Sequence, residues 1–261
     1  MMTSALHAEF HATDACEETC DLHMDIRTVA AMISNACLAA TQILMPMIQL
    51  HYAPGNASMT PHFLLEELGV PFELKLVDRA NNAHKSPAYL TMNPNGLIPV
   101  LVDGDLVLYE TAAIVLHLVD THPQPALAPP VGTADRAQFY KWLVWLAASL
   151  QPQFSIYFYN DRYVAPGNAS GAAEVKVAIE KRIEGLIDQI DAQLALHGGP
   201  WLMGERFTAL DPYALMLCRW TRNARRPART LPHIGPYLQR MLARPATQKA
   251  IATEGLSQPL V

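Results

Sequence analysis

A proline-rich connection, PQPALAPPVGT at residues 123–133, divides the chain into two stretches with different periodicities, and this break constrains the fold more than any other feature. Before it, short apolar runs alternate with helical patterns; after it, strand signals vanish and helical periodicity alone remains. Ile48–Ala53 and Phe72–Val77 read as strands. Between them Ser58 and Thr60 precede Pro61, which suits the first helical position because its missing N–H would find no partner there, and Gly69 supplies the stop. A short helix over Pro87–Met92 leads into the turn Asn93-Pro94-Asn95-Gly96. Val100–Val102 and Leu106–Leu108, joined through Asp103-Gly104-Asp105, form a hairpin, and Thr111–His122 a helix. The order βαβ then ββα predicts a small four-stranded α/β domain over 47–124. An all-helical domain over 132–261 follows, with helices near 133–151, 173–197, 211–222, 233–243 and 247–254. The fold class is therefore α/β plus all-α. Thr208-Ala209-Leu210-Asp211 reads as a structural capping box.

Charge separates a further segment. Residues 1–46 hold six acids against Arg27 alone, which accounts for the whole formal charge of −5; the rest of the chain is neutral, and a neutral body argues against nucleic acid as a partner. Residues 28–45 are apolar, yet Ser34, Asn35, Thr41 and Gln42 interrupt them, no small-residue cleavage site follows cleanly, and the length is at the short limit for a bilayer. No membrane partner is expected. His7, His11, Cys16, Cys20 and His23 match no standard zinc spacing, so no metal is expected either. The first 46 residues read as a poorly ordered extension, as from a start read too far upstream, with Met47 opening the first strand. Cys218 is the only cysteine beyond Cys37, so no disulfide framework is needed, which suits a reducing cytoplasm.

The stretch YAPGNASMTPH, Tyr52–His62, gathers a tyrosine, an asparagine and a serine at the mouth of a helix but supplies no thiol. Together with NPNGLIPVLVDGDLVLYETAAIVLHL and GERFTALDPYAL, it resembles the glutathione transferase superfamily, most of all its bacterial beta class, over essentially everything after residue 46. The resemblance implies a thioredoxin-like first domain, a cis Ile98-Pro99 peptide, a homodimer, and glutathione as co-substrate. Pro99 and Ile98 would present main-chain groups to the tripeptide. Thr111 would receive its α-carboxylate at a helix N-terminus and Glu110 its ammonium. The implied activity is conjugation of the glutathione thiolate to a small hydrophobic electrophile. Isomerase, dehalogenase, peroxidase and non-catalytic ligand-binding relatives are the alternatives.

The physics of such a mouth is consistent with that role. Lowering a thiol from about 8.5 by about two units takes about 2.7 kcal/mol. A helix N-terminus contributes up to about 2 kcal/mol and a hydrogen bond to a charged sulfur about 1.5–3 kcal/mol. Ser58 is the first choice of donor, Tyr52 the second, and Asn56 lies near the position of the hydroxyl in serine-type relatives. Against the beta-class pattern, Ala57 replaces the cysteine that forms a mixed disulfide, Gln151 a histidine, Val144 an asparagine, and Leu97 a Lys or Gln. The grip on the glycyl end is accordingly expected to be modest. Phe154, Tyr157 and Tyr159, in QPQFSIYFYNDRY, are expected to line a co-substrate pocket. Between Pro212 and Thr253 stand eight bases and no acid, read as a solvated face or as an attraction of Arg222 or Arg225 for an anion.

Overall fold

The computed structural model describes residues 47–261; the readings on residues 1–46, including the extension and the His/Cys group, lie outside the described residues. Strands β1 (Ile48–Tyr52), β2 (Phe72–Leu76), β3 (Val100–Asp103) and β4 (Leu106–Tyr109) form one sheet in the order β2-β1-β3-β4. The β1–β2 pair is parallel, joined by helix α1 (Met59–Leu68), with Leu50 opposite Leu74. Leu50 also pairs antiparallel with Leu101, and Leu101 with Leu108 across the expected hairpin. Leu50 and Leu101 are fully buried, which fixes the register, because a slip of one residue would turn them to the opposite face.

α1 begins two residues before the expected position. Ser58 already has helical dihedrals, and the Met59 N–H donates to Asn56 C=O at 3.0 Å, so the helix is nucleated by the turn. Pro61 then falls within the first turn, where its missing N–H is still without consequence. Helices α2 (Pro87–Met92) and α3 (Thr111–Thr121) complete the sheet domain.

In the second half, α4 (Ala134–Trp145) passes through a π-helical turn at Leu146–Leu150 into α5 (Gln151–Phe158), seven residues beyond the expected end. Pro152 immediately follows the expected end. The wider turn ahead of it rearranges the hydrogen-bond ladder, so the missing donor falls in the first turn of a new segment. α6 (Ala169–His197) starts four residues early because the Asn168 side chain accepts the Gly171 N–H at 2.9 Å. α7 (Leu210–Trp220), α8 (Ile234–Leu242) and α9 (Pro245–Glu254) follow.

Half of the expected capping box forms, since the Thr208 hydroxyl accepts the Leu210 N–H at 3.4 Å and not that of Asp211, while the Asp211 carboxyl does more than its share. Asp211 Oδ2 accepts the Thr208 N–H at 2.8 Å, while Oδ1 accepts the Leu202 N–H at 3.0 Å and the Tyr237 hydroxyl at 3.1 Å. α1 packs on α7 and α9, so one apolar core runs through both halves. Arg244, ahead of α9, grips Glu67 of α1 with two bonds of 2.6 Å and lies 3.7 Å over the Phe207 ring. Among the described residues, no helix is long and apolar enough to cross a membrane.

Candidate functional site

The site is built on the bend that leads into β3. Asn93 is buried, and its Oδ1 accepts the Asn95 N–H at 3.1 Å while Nδ2 donates to Leu97 C=O at 2.9 Å. The Tyr89 hydroxyl donates to the same carbonyl at 2.8 Å; burial pushes that hydroxyl up to about 12, so it stays protonated and remains a donor. Gly96 has φ +58, and a Cβ there would stand 2.8 Å from the His84 carbonyl oxygen, so only glycine fits. With Leu97 held twice over, the cis Ile98–Pro99 peptide follows in a defined position. The N–H and C=O of Ile98 make no hydrogen bond among the described residues. They are a donor and an acceptor held ready for another backbone.

Tyr109 pairs with Val100, which brings Glu110 and the start of α3 beside this bend. Glu110 is exposed and has φ 72, a backbone conformation that costs a non-glycine residue of order 1–3 kcal/mol. Its C=O still accepts the Ile114 N–H at 3.0 Å, and its carboxylate has no partner among the described residues. Thr111, at the positive end of α3, is 4% exposed. Behind it lies Tyr213 of α7, whose hydroxyl donates to Gln151 Oε1. Burial raises the Tyr213 hydroxyl and the Glu110 charge adds to this, while the Thr111 hydroxyl partly offsets it. Gln151 therefore holds a tyrosine that backs Thr111.

The turn at Ala53–Ala57 is gripped from the helical half. Trp220 Nε1–H donates to Gly55 C=O at 3.0 Å, and Glu254 Oε2 accepts the Gly55 N–H at 2.8 Å. The other oxygen of Glu254 meets His62 Nδ1 at 2.8 Å, in α1. These residues are 165 to 199 positions away from Gly55, so no local signal marks them.

Here the structure departs from the first choice of donor. Ser58 is fully buried; its hydroxyl donates to Ala53 C=O at 3.1 Å and accepts the Ala53 N–H at 3.2 Å. That hydroxyl closes the turn and has no surface to offer a ligand. Asn56 keeps partial exposure, and its Oδ1 accepts the Ala57 N–H at 2.7 Å, which leaves Nδ2 as the outward donor. Tyr52 is half-buried against His62, with ring centroids 6.2 Å apart.

The aromatic end also sorts differently from expectation. Phe154 is 1% exposed and packs 5.4 Å from Trp220, so it is core and lines no pocket; Phe158, one turn on, is 47% exposed and also meets Trp220, at 6.1 Å. Tyr157 is half-buried with Lys176 5.1 Å over its ring, and the Tyr159 hydroxyl accepts from Arg79 Nη2 at 2.6 Å. Four of the eight bases after Pro212 pair with acids from elsewhere, whereas Arg222 donates to the Arg219 C=O at 3.3 Å and pairs with no acid among the described residues. Arg225 pairs with Glu184 at 3.1 Å, Arg226 with Asp188, Arg244 with Glu67 and Lys249 with Glu66. Arg225 is thus committed to α6 rather than open to an anion. A cavity of about 790 Å³ lined by Asp135, Lys141, His197 and Arg206 shares no residue with the site.

A sheet of this order, a main-chain corner open to a peptide and a helical half closing over both define a thioredoxin-like domain joined to an all-helical one. Residues 45–120 match the family described as Glutathione S-transferase, N-terminal domain. Glutathione S-transferase GST-4.5 of Xanthomonas campestris pv. campestris is 32% identical over 210 residues, 80% of this chain and 100% of that protein. A glutathione transferase from Methylococcus capsulatus superposes with a TM-score of 0.69 at 31% identity, over 81% of this chain and 100% of its own. A sphingomonad glutathione S-transferase complexed with glutathione gives 0.69 at 30% identity, over 80% and 100%. The chain belongs to the glutathione S-transferase family and resembles its bacterial, beta-class-like members.

Proposed function

We propose that this protein binds glutathione at the Ile98 corner and conjugates its thiolate to a small electrophile. The observation that carries the reading is the unpaired main-chain donor and acceptor of Ile98 beside the N-terminus of α3. An extended tripeptide pairs with Ile98, places its α-carboxylate at Thr111 and its ammonium at Glu110. Its other carboxylate runs back toward Lys85, whose Nζ donates to Asn95 C=O at 3.1 Å. The sulfur then lies at the mouth of α1. The donor there is Asn56 Nδ2, with Tyr52 behind it, while Ser58 keeps the turn in shape. Ala57 supplies no thiol, so the protein forms no mixed disulfide at that position.

The electrophile sits against Phe158, Tyr157 and Tyr159, with Phe154 as support beneath. Detoxification in the cytoplasm and a homodimer complete the reading. The unpaired outer edge of β4, where Leu106 and Val107 are each 42% exposed, supports the dimer, because a bare apolar edge calls for cover. We assign the sheet half, 47–124, to glutathione and the helical half, 132–261, to the co-substrate.

Calorimetric titration with glutathione, thiolate absorbance against pH and turnover with an aryl chloride test the proposal together. Binding with a thiol pKa well below about 8.5 and conjugate formation are the expected results. Binding without a lowered pKa would identify a ligand carrier, and absence of binding would refute the assignment.

A further inference from the structure

A cluster of basic groups with no carboxylate in ion-pair contact gathers at Tyr159. Arg79, in the loop after β2, donates from Nη2 to the Tyr159 hydroxyl at 2.6 Å, and Arg162, from the helical half, stacks 4.2 Å over the same ring. Two guanidinium groups from opposite halves of the chain thus converge on one tyrosine. Lys85 and His84 lie close by, and His84 Nδ1 is buried with no hydrogen-bond partner. Burial, followed by the charges of Arg79, Lys85 and Arg162, holds the His84 imidazole below its usual range. Among the described residues, no carboxylate lies within 4.0 Å of Arg79, His84, Lys85 or Arg162. The acids adjacent in sequence are Asp78, which accepts from Asn81 at 2.6 Å and 3.2 Å, and Asp161; neither lies within 4.0 Å of a basic group of the cluster.

Like charges brought together in this way repel, and within a Debye length of about 8 Å salt screens them only in part. A bound anion removes that repulsion. Glutathione carries two carboxylates, and the reading above places them at Thr111 and near Lys85. That leaves the guanidinium pair on Tyr159 unanswered. Both side chains are pre-organised, one by the hydrogen bond and one by the stacked ring, and a guanidinium fork matches a carboxylate in plane. Phe158 and Tyr157, which precede Tyr159 on α5, supply an apolar approach.

We propose that the co-substrate is an acidic electrophile, an apolar body ending in a carboxylate or similar anion, whose charged end is read by Arg162 and Arg79 across Tyr159. The inference rests on the glutathione reading for the position of the sulfur, and the test separates the two.

S-benzylglutathione and S-hexylglutathione are compared by calorimetry with S-(4-carboxybenzyl)glutathione and S-(5-carboxypentyl)glutathione, at low salt. At least one acidic conjugate is expected to bind about ten-fold tighter than its uncharged counterpart, as for one charge-assisted contact of about 1.4 kcal/mol. In Arg162→Ala that preference disappears while glutathione and the uncharged conjugates bind as before, and Arg162→Lys restores part of it. Arg162 is exposed, so its removal leaves the core intact.

No preference in the wild type would overturn the proposal. So would an Arg162→Ala protein that loses glutathione and all four conjugates to the same degree, since the cluster would then serve only the peptide's own carboxylate. Titration with free 4-nitrobenzoate, which carries no peptide, keeps the two readings apart. Binding of benzoate that depends on Arg162, with no binding of glutathione, would sink the function proposed above and leave this inference standing. Benzoate binding that ignores Arg162 would sink the inference.

Discussion

Ser58 and Asn56 stand two residues apart in one turn, yet the fold gives them opposite tasks. The serine hydroxyl bridges the N–H and C=O of Ala53 inside the protein, whereas the asparagine spends its oxygen on Ala57 N–H and keeps its amide hydrogens outward. Asn56→Ala is therefore expected to raise the pKa of bound glutathione by about one unit, roughly the worth of one hydrogen bond to a charged sulfur, with affinity for the peptide largely kept. Ser58→Ala should instead cost about 1–2 kcal/mol of stability, chiefly through the buried Ala53 N–H it strands, since the Ala53 C=O still accepts the Asn56 N–H, and leave the thiol where it was. Thiolate absorbance against pH and urea unfolding of both variants check this; a thiol that shifts only in Ser58→Ala would reverse the assignment. Sequence showed that hydroxyls and an amide collect at this mouth. Which of them faces outward depended on the Ala53 contact five residues back and on side-chain direction, neither of which periodicity records.

At the scale of one element, the start of α7 concentrates its interactions on Asp211. Four donor contacts reach this carboxyl, from the Leu202 N–H, the Thr208 N–H and hydroxyl, and the Tyr237 hydroxyl. Complete burial outweighs them and raises the group from 3.8 to about 6. An acid whose folded value is raised contributes stability through its proton; that contribution is full below about 3.8 and is lost as the pH climbs through about 6. The unfolding free energy of the wild type should thus fall more between pH 4 and pH 7 than that of Asp211→Asn, which has no proton to lose at this position. A gap between the two that does not change with pH would refute this. The Asp211 half of the capping box was legible in Thr208-Ala209-Leu210-Asp211. The added donors from Leu202 and Tyr237 were not, because they arrive from a loop and from α8.

For the molecule as a whole, the two halves are tied by contacts that straddle the proline-rich connection, among them Arg244 with Glu67 and the clasp of Trp220 and Glu254 on Gly55. The outer edge of β4 is left bare, with Leu106 and Val107 exposed. If two copies close over it, Val107→Asp should shift the sedimentation of the protein from dimer to monomer at micromolar concentration, since an unpaired charge would be buried in the interface; an unchanged dimer would place the interface elsewhere. Helix ends that the sequence placed correctly carry their own marker, as Gly255 does at the stop of α9, whose start at Pro245 lies two residues ahead of the expected 247. The helical path runs on from α4 into α5 past the expected end at 151 and across Pro152, and the rearranged turn ahead of that proline has Leu146 and Leu150 packed in the core. Sequence alone determined the order of strands and helices and the chemistry gathered at each turn, since these follow from short-range sterics and apolar period, while the cis bend at Pro99 was expected from the family resemblance. Tertiary structure decided which polar group keeps its surface, which arginines find acids and which pair meets on Tyr159. Those outcomes depend on distances between residues far apart in the chain, and these are set only when the helical half closes onto the sheet.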